Sequence, residues 1–300
     1  MDTNPTLERI SGVCHIMITP FTDDQSIDYE GIKGVVAAAI SAGSTAVVPL
    51  AIMGEAHKLL DTERRAVLEA VVAAANGETA VIAGISSEST FVAAARAREA
   101  ETAGVDCVMM APPRNSLVGS GLLKHYANVA MASSLPLVVQ DEPVSTNVRL
   151  VPDFFAELSA VPGIIAAKVE DPPSPQKITA IRSAAPDLAC FGGLGGVSFL
   201  EELQRGACGT MTGFGYPRIL VDVHRAHLAG DRDKAREIFY HYLPIIRFEA
   251  QLGTGGVAIR KALFAERGII GSSTERDPSH AIDDQTLIEL RELIDALQLR

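Results

Sequence analysis

Eight short apolar runs punctuate the first 230 residues, and between them hydrophobic side chains return at helical spacing. The runs cover residues 12–18, 45–50, 79–85, 106–111, 136–140, 164–169, 188–192 and 208–212. Each is too uniformly apolar for a sheet with one wet face, so the predicted strands are buried on both sides. In the intervals, Ile32, Val35, Val36, Ala39 and Ile40 share one helical face, as do Val67, Ala70, Val71 and Ala74. Gly43 and Gly104 follow alanines at helix ends, where a left-handed residue is needed. Asp61 is the expected N-cap of a helix starting at Thr62. A strand followed by a helix, eight times over, predicts parallel strands covered by helices. The natural closure of that α/β pattern is a (β/α)8 or TIM barrel. A doubly wound sheet fits less well, because no GxGxxG follows the first run. The cluster Gly192-Gly193-Leu194-Gly195-Gly196 comes after the seventh run, and reads either as a phosphate loop or as a flexible loop at the barrel rim.

Beyond residue 230 the pattern turns to helices alone, over about 231–252, 256–266 and 284–297, with Asp231 and Asp284 as acceptable N-caps. Residues 1–230 are therefore expected to form the barrel domain. Residues 231–300 read as a helical appendage, too small for its own core and packed on the barrel or on a neighbouring subunit.

The chain's 300 residues are 47% hydrophobic, enough for a large core, and its formal net charge of −11 argues against a nucleic-acid partner. No run approaches the ~20 apolar residues that span a bilayer. The polar start, Met1-Asp2-Thr3-Asn4-Pro5, has no hydrophobic signal core, so a cytoplasmic protein without membrane contact is expected. Cys14, Cys107, Cys190 and Cys208 each fall in a predicted strand, without zinc spacing, and read as small hydrophobes. The seven histidines show no metal-binding pair. Neither a metal nor a cofactor is expected.

Barrel enzymes carry their chemistry at the carboxyl ends of the strands. Those positions hold Thr19, Gly54, Glu55, Pro112 to Arg114, Gln140, Asp141, Lys168, Glu170, Gly193 and Thr212. Lys168 ends the run Gly163-Ile164-Ile165-Ala166-Ala167-Lys168-Val169. A primary ammonium on a buried strand is costly to keep charged, and a neutral amine in a pocket attacks ketones to form a Schiff base. The plainer alternative is a lysine whose stem is buried while its head reaches water. Glu170 lies two residues on, hence on the same face. It suits a proton shuttle, a counter-charge for Lys168, or an exposed loop carboxylate. Gln140 can orient a carbonyl or a water but cannot act as an acid, and alternation turns Asp141 away from it.

The ordered landmarks of the chain are Thr19-Pro20-Phe21 with Asp28, Met53-Gly54-Glu55, Glu63-Arg64, Ala83-Gly84, Ala111-Pro112-Pro113, Pro143, Lys168, Gly206 through Thr212 and Arg260-Lys261-Ala262-Leu263. In these it resembles the dihydrodipicolinate synthase and N-acetylneuraminate lyase superfamily over nearly its whole length. The resemblance implies a (β/α)8 barrel with a C-terminal helical segment, a homo-oligomer (usually a tetramer, otherwise a dimer), and a Schiff base between Lys168 and a small-molecule 2-oxo acid. It also departs from the pattern. The usual Gly-Thr-Thr-Gly-Glu, which grips the substrate carboxylate, reads Ala51-Ile52-Met53-Gly54-Glu55, leaving backbone N–H groups as the anion donors there. The usual Tyr-Asn-x-Pro reads Gln140-Asp141-Glu142-Pro143, and a second tyrosine is replaced by Arg114.

L-2-keto-3-deoxyarabonate dehydratases are similar in Val139-Gln140-Asp141-Glu142-Pro143, Lys168-Val169-Glu170 and Met211-Thr212-Gly213. That similarity implies a lyase dehydrating a 2-keto-3-deoxy sugar acid, with Lys168 as nucleophile, Glu170 as proton shuttle and Gln140 orienting a hydroxyl. The expected substrate contacts are Thr19, Ile52, Met53, Gly54, Glu55, Gly193, Met211 and Thr212. Apolar Ile52 and Met53 keep open a pyruvate aldolase or hydratase-aldolase. An imino-acid deaminase and a non-catalytic 2-oxo acid binder are the remaining readings.

Overall fold

In the computed structural model, which describes residues 4–250, 256–280 and 282–299, the eight runs become strands. They are β1 (Val13–Ile16), β2 (Ala46–Val48), β3 (Ala80–Gly84), β4 (Cys107–Met110), β5 (Leu137–Asp141), β6 (Ile164–Val169), β7 (Ala189–Gly192) and β8 (Gly209–Thr212). Each pairs in parallel with the next, and β8 returns to β1, closing a (β/α)8 barrel. Strand ends lie within two residues of the sequence expectation, and β6 matches it at both ends.

Period-two alternation divides each strand between two cores. Cys14, Ile16, Val48, Ile82, Met109, Val138, Ala166 and Met211 fill the barrel interior. Val47, Val81, Val108, Val139, Ala167 and Val169 meet the helical layer outside. Burial on both faces is why the runs are apolar throughout. The cysteines belong to this packing: Cys14, Cys107 and Cys190 are buried, and burial pushes the Cys14 and Cys190 thiols up to about 12.

Helix ends follow the sequence punctuation with two corrections. Gly43 and Gly104 adopt left-handed φ values of 84° and 83° and close their helices. Asp61, expected as an N-cap, is instead the first residue of helix Asp61–Ala75. Glu63 reaches back to accept from the Leu60 N–H at 2.8 Å, so the helix starts one residue earlier. Asp284, likewise expected as a cap, lies inside its helix, and Asp283 caps it by accepting from the Thr286 N–H at 2.8 Å. Asp231 does accept from the Lys234 N–H, at 2.9 Å.

The C-terminal segment carries helices Arg232–Ala250, Gly256–Glu266 and Asp284–Ala296; the expected helical end at Leu252 lies outside the described residues. Phe239, Ile246, Ile259, Leu263 and Leu290 of these helices share one apolar cluster with Val13 of β1 and with Phe199 and Leu220 of barrel helices. The segment thus has no core separate from the barrel's. Lys261 fastens it to the rim: its ammonium meets Glu55 at 2.5 Å, donates to the Thr274 carbonyl at 2.9 Å and sits 4.2 Å from the Phe21 ring centre. Among the described residues, no helix is long and apolar enough to cross a membrane.

Candidate active site

Register and alternation together bring the central residues to one place. Gln140 on β5 is the register partner of Lys168 on β6, so the two side chains point inward side by side. One residue further, the Glu170 N–H donates to the Asp141 carbonyl at 2.9 Å, which carries the ladder on and turns Glu170 to the Lys168 face. Lys168 Nζ lies 2.9 Å from Glu170 Oε2, and Gln140 Nε2 donates to that same oxygen at 2.8 Å. Lys168 is only 3% exposed, so its nitrogen is inside the barrel mouth and does not reach bulk water. The ion pair with Glu170 offsets the cost of burying either charge alone.

Above this triad is a cavity of about 160 Å³. Its walls are Ile16, Ala51, Ile52 and Met53 on one side and Gln140, Glu142, Val144 and Ser145 on another. Lys168, Glu170, Leu194, Gly195, Met211, Thr212 and Gly213 complete the barrel's share. Ala250 and Arg260 come from the C-terminal helices. A cavity of about 150 Å³ accepts a molecule the size of benzene, so a compact 2-oxo acid has room beside the amine.

Seven of the eleven residues expected at the site line this cavity: Lys168, Glu170, Gln140, Ile52, Met53, Met211 and Thr212. The other four do not, each for a visible reason. The Thr19 hydroxyl donates to the Gly54 carbonyl at 2.6 Å, and this contact braces the β1 and β2 loops behind the wall. Glu55 turns away through a left-handed φ of 51° and is held by Lys261 and by Lys58 at 2.9 Å. Gly193 backs onto Glu170, where an added Cβ would sit 2.4 Å from Glu170 Cγ. Two of the backbone donors expected near residues 51–55 are engaged. The N–H groups of Gly54 and Glu55 bond to the carbonyls of Ala51 and Ile52 in a tight turn.

Arg260 is the main residue missed. It belongs to the landmark Arg260-Lys261-Ala262-Leu263, but nothing in a helical periodicity says that the helix delivers its guanidinium to a barrel mouth. Arg260 is 5% exposed and lies 3.4 Å from Glu249. Burial pulls its proton affinity down, against the opposing pull of Glu249 and Glu170, and burial pushes the Glu249 carboxyl up to about 7. Glu142 also faces the cavity, although its carboxylate is engaged by the Ser145 N–H at 2.9 Å and by the Ser145 hydroxyl. Gly195, read as part of a flexible or phosphate-binding loop, packs tightly; a Cβ there would lie 2.7 Å from that of Ala250.

Two buried acids stand behind the site. Asp141 points outward, as alternation requires, and meets Lys177 at 2.7 Å. Burial nevertheless outweighs that ammonium and raises its carboxyl to about 6. Glu202, from helix Phe199–Gln204, accepts from the Ser174 hydroxyl at 2.6 Å, and burial raises it to about 7. Arg114, in the loop after the carboxyl end of β4, is exposed and lies 3.8 Å from Glu88.

Comparison with known proteins agrees with this geometry. The model of the dihydrodipicolinate synthetase family matches residues 9–297. The L-2-keto-3-deoxyarabonate dehydratase of Azospirillum brasilense is 28% identical over 99% of each chain. The 4-hydroxy-tetrahydrodipicolinate synthase of Methanospirillum hungatei is 31% identical, over 94% of this chain and 98% of its own. The crystal structure of dihydrodipicolinate synthase from Rhodopseudomonas palustris superposes with a TM-score of 0.90 at 32% identity, covering 96% of this chain and 97% of that one. With a lysine-bearing barrel mouth and a family match over almost its full length, the chain belongs to the dihydrodipicolinate synthetase family and is an enzyme of its lyase class.

Proposed function

We propose that the chain is a Schiff-base-forming lyase for a small 2-oxo acid, and that it dehydrates a 2-keto-3-deoxy sugar acid. One observation carries the reading: a buried amine that opens on a cavity and shares its carboxylate partner with an amide donor. Glu170 takes a proton from the Lys168 ammonium, and the freed amine adds to C2. The carbonyl oxygen leaves as water with the transferred protons, giving an iminium. Its positive charge acidifies C3–H, and the Glu170 carboxylate accepts that proton to leave an enamine. Glu170 then returns the proton to the C4 hydroxyl, which departs as water while the enamine electrons form the C3–C4 double bond. Hydrolysis of the imine releases the unsaturated 2-oxo acid and restores the ammonium. In this scheme Gln140 fixes Glu170 by its hydrogen bond and can orient the departing hydroxyl. The dehydratase relative supports the choice of reaction.

A second reading keeps the imine but makes or breaks a carbon–carbon bond. The apolar Ile52 and Met53 on the wall favour it, since they suit an aldehyde partner better than a polyhydroxy tail. Borohydride trapping with a panel of 2-oxo acids, followed by intact mass and peptide mapping, tests what both readings share. A reduced adduct on Lys168 is expected; no adduct with any acid, or an adduct elsewhere, ends both. Product analysis then separates them: water loss without pyruvate marks dehydration, and pyruvate release marks aldol cleavage.

A further inference from the structure

We infer that Arg260 is the carboxylate-recognition residue of this cavity, and that it does from the C-terminal helix what hydroxyls on the β2 loop do not do here. The inference rests on the imine reading above, because it concerns the acid that Lys168 would hold. On the β2 side no side chain offers an anion donor, and two of the backbone donors are engaged. Ala51, Ile52 and Met53 carry no hydroxyl, and the Gly54 and Glu55 N–H groups are spent within their own turn.

Across the mouth the situation is reversed. A guanidinium has five N–H donors in a planar fork that matches a carboxylate. Among the described residues, Glu249 is the only ion-pair partner of Arg260, and its Nε has no hydrogen-bond partner. Glu249 itself is divided, since Oε2 also accepts from the Gly215 N–H at 3.0 Å while Oε1 has no partner. The Arg260 donors are therefore under-used in a buried place, where unmade hydrogen bonds are costly. Two glycines adjoin them. A Cβ on Gly213 would stand 3.4 Å from Arg260 Nη1, and one on Gly195 would stand 3.9 Å from Nη2, although Ala250 already packs against Gly195. Both glycines line the cavity with Arg260, so the fork borders the space an anion would enter.

The carboxylate could be the one beside the reacting carbonyl or a second one at the far end of the acid, and the test separates these. Borohydride-trapping efficiency is measured with pyruvate, with 2-oxoglutarate and with pyruvamide, which has pyruvate's shape without its charge. In R260M the acid-to-amide ratio is expected to fall by roughly 10- to 100-fold, the scale of a hydrogen bond to a charged group. R260K should recover part of it. The E249Q/R260M double substitution removes both buried charges, so an orphaned Glu249 cannot mimic the effect by unfolding the site. A loss confined to 2-oxoglutarate puts Arg260 on a distal carboxylate, and a loss for pyruvate as well puts it on C1. A ratio unchanged for both acids, or an equal decline for acids and amide, overturns the proposal while leaving the imine intact. Wild-type enzyme that traps no acid of the wider 2-oxo acid panel removes the imine reading, and this proposal with it.

Discussion

In the proposed mechanism Glu170 holds an ammonium in one state and a carbon-bound proton in another, and the site geometry suits one carboxylate to both. Its Oε2 receives Lys168 at 2.9 Å and Gln140 at 2.8 Å, so the amide holds the carboxylate in place as well as the ammonium does. Glu170→Gln keeps the size and one oxygen but removes the base. Imine trapping should survive, while turnover drops by about 10²-fold or more; a variant turning over at the wild-type rate would take Glu170 out of the mechanism. These three residues were legible in the sequence because strand alternation fixes which face a side chain takes. Depth is harder to read. Thr19, Gly54, Glu55 and Gly193 also follow strand ends, but each lies in a loop whose turns, not a two-residue period, decide where it points. Arg260 was illegible for another reason: its nearness to Lys168 is a tertiary fact, made by a helix that packs back over the barrel.

At the scale of the element, the end of β7 shows why two adjacent glycines stand beneath the Glu170 carboxylate. Gly192 and Gly193 face opposite sides, and each leaves room for an acid. A Cβ on Gly192 would sit 1.7 Å from Glu202 Oε2, and one on Gly193 would sit 2.4 Å from Glu170 Cγ. The sequence announces the glycines but not what they make room for, so a mobile rim and a phosphate loop were both reasonable readings. Gly193→Ala should displace Glu170 from its bridge to Lys168 and Gln140. A displacement of about 1 Å can cost on the order of 10²-fold in rate, so a 10- to 100-fold fall in kcat is expected, with the melting temperature little changed. Equal losses of kcat and of folded protein would show that the glycine serves the fold alone. Strand order, by contrast, was plain from sequence, because runs apolar on both faces have few arrangements open to them. Helix starts at Asp61 and Asp284 slipped by one residue because several nearby acids can serve as the cap.

For the molecule as a whole, the barrel and its C-terminal helices enclose carboxyl groups that water would otherwise keep ionised, and that makes stability depend on pH in an unusual sense. Glu202, Glu249 and Asp141 are all raised by burial, to about 7, 7 and 6. Glu202 gives the cleanest test, since its carboxyl lies behind the site and is bonded to Ser174. Its ordinary value is 4.5 and its folded value is about 7. Between those values the folded chain holds a proton that the unfolded chain has released. Its contribution to stability is therefore fully present below pH 4.5, declines as the pH rises, and is gone above about pH 7. Glu202→Gln is neutral throughout and keeps an oxygen for Ser174, so it escapes this loss. Relative to wild type, the variant should gain stability between pH 5 and pH 8 by up to roughly 3 kcal/mol, the equivalent of the shift. Urea unfolding of both proteins at the two pH values measures it. A difference between variant and wild type that stays constant across that range would mean that Glu202 is ionised in the folded barrel, and a buried anion behind β7 would then oppose the negative charge that Glu170 carries in front of it.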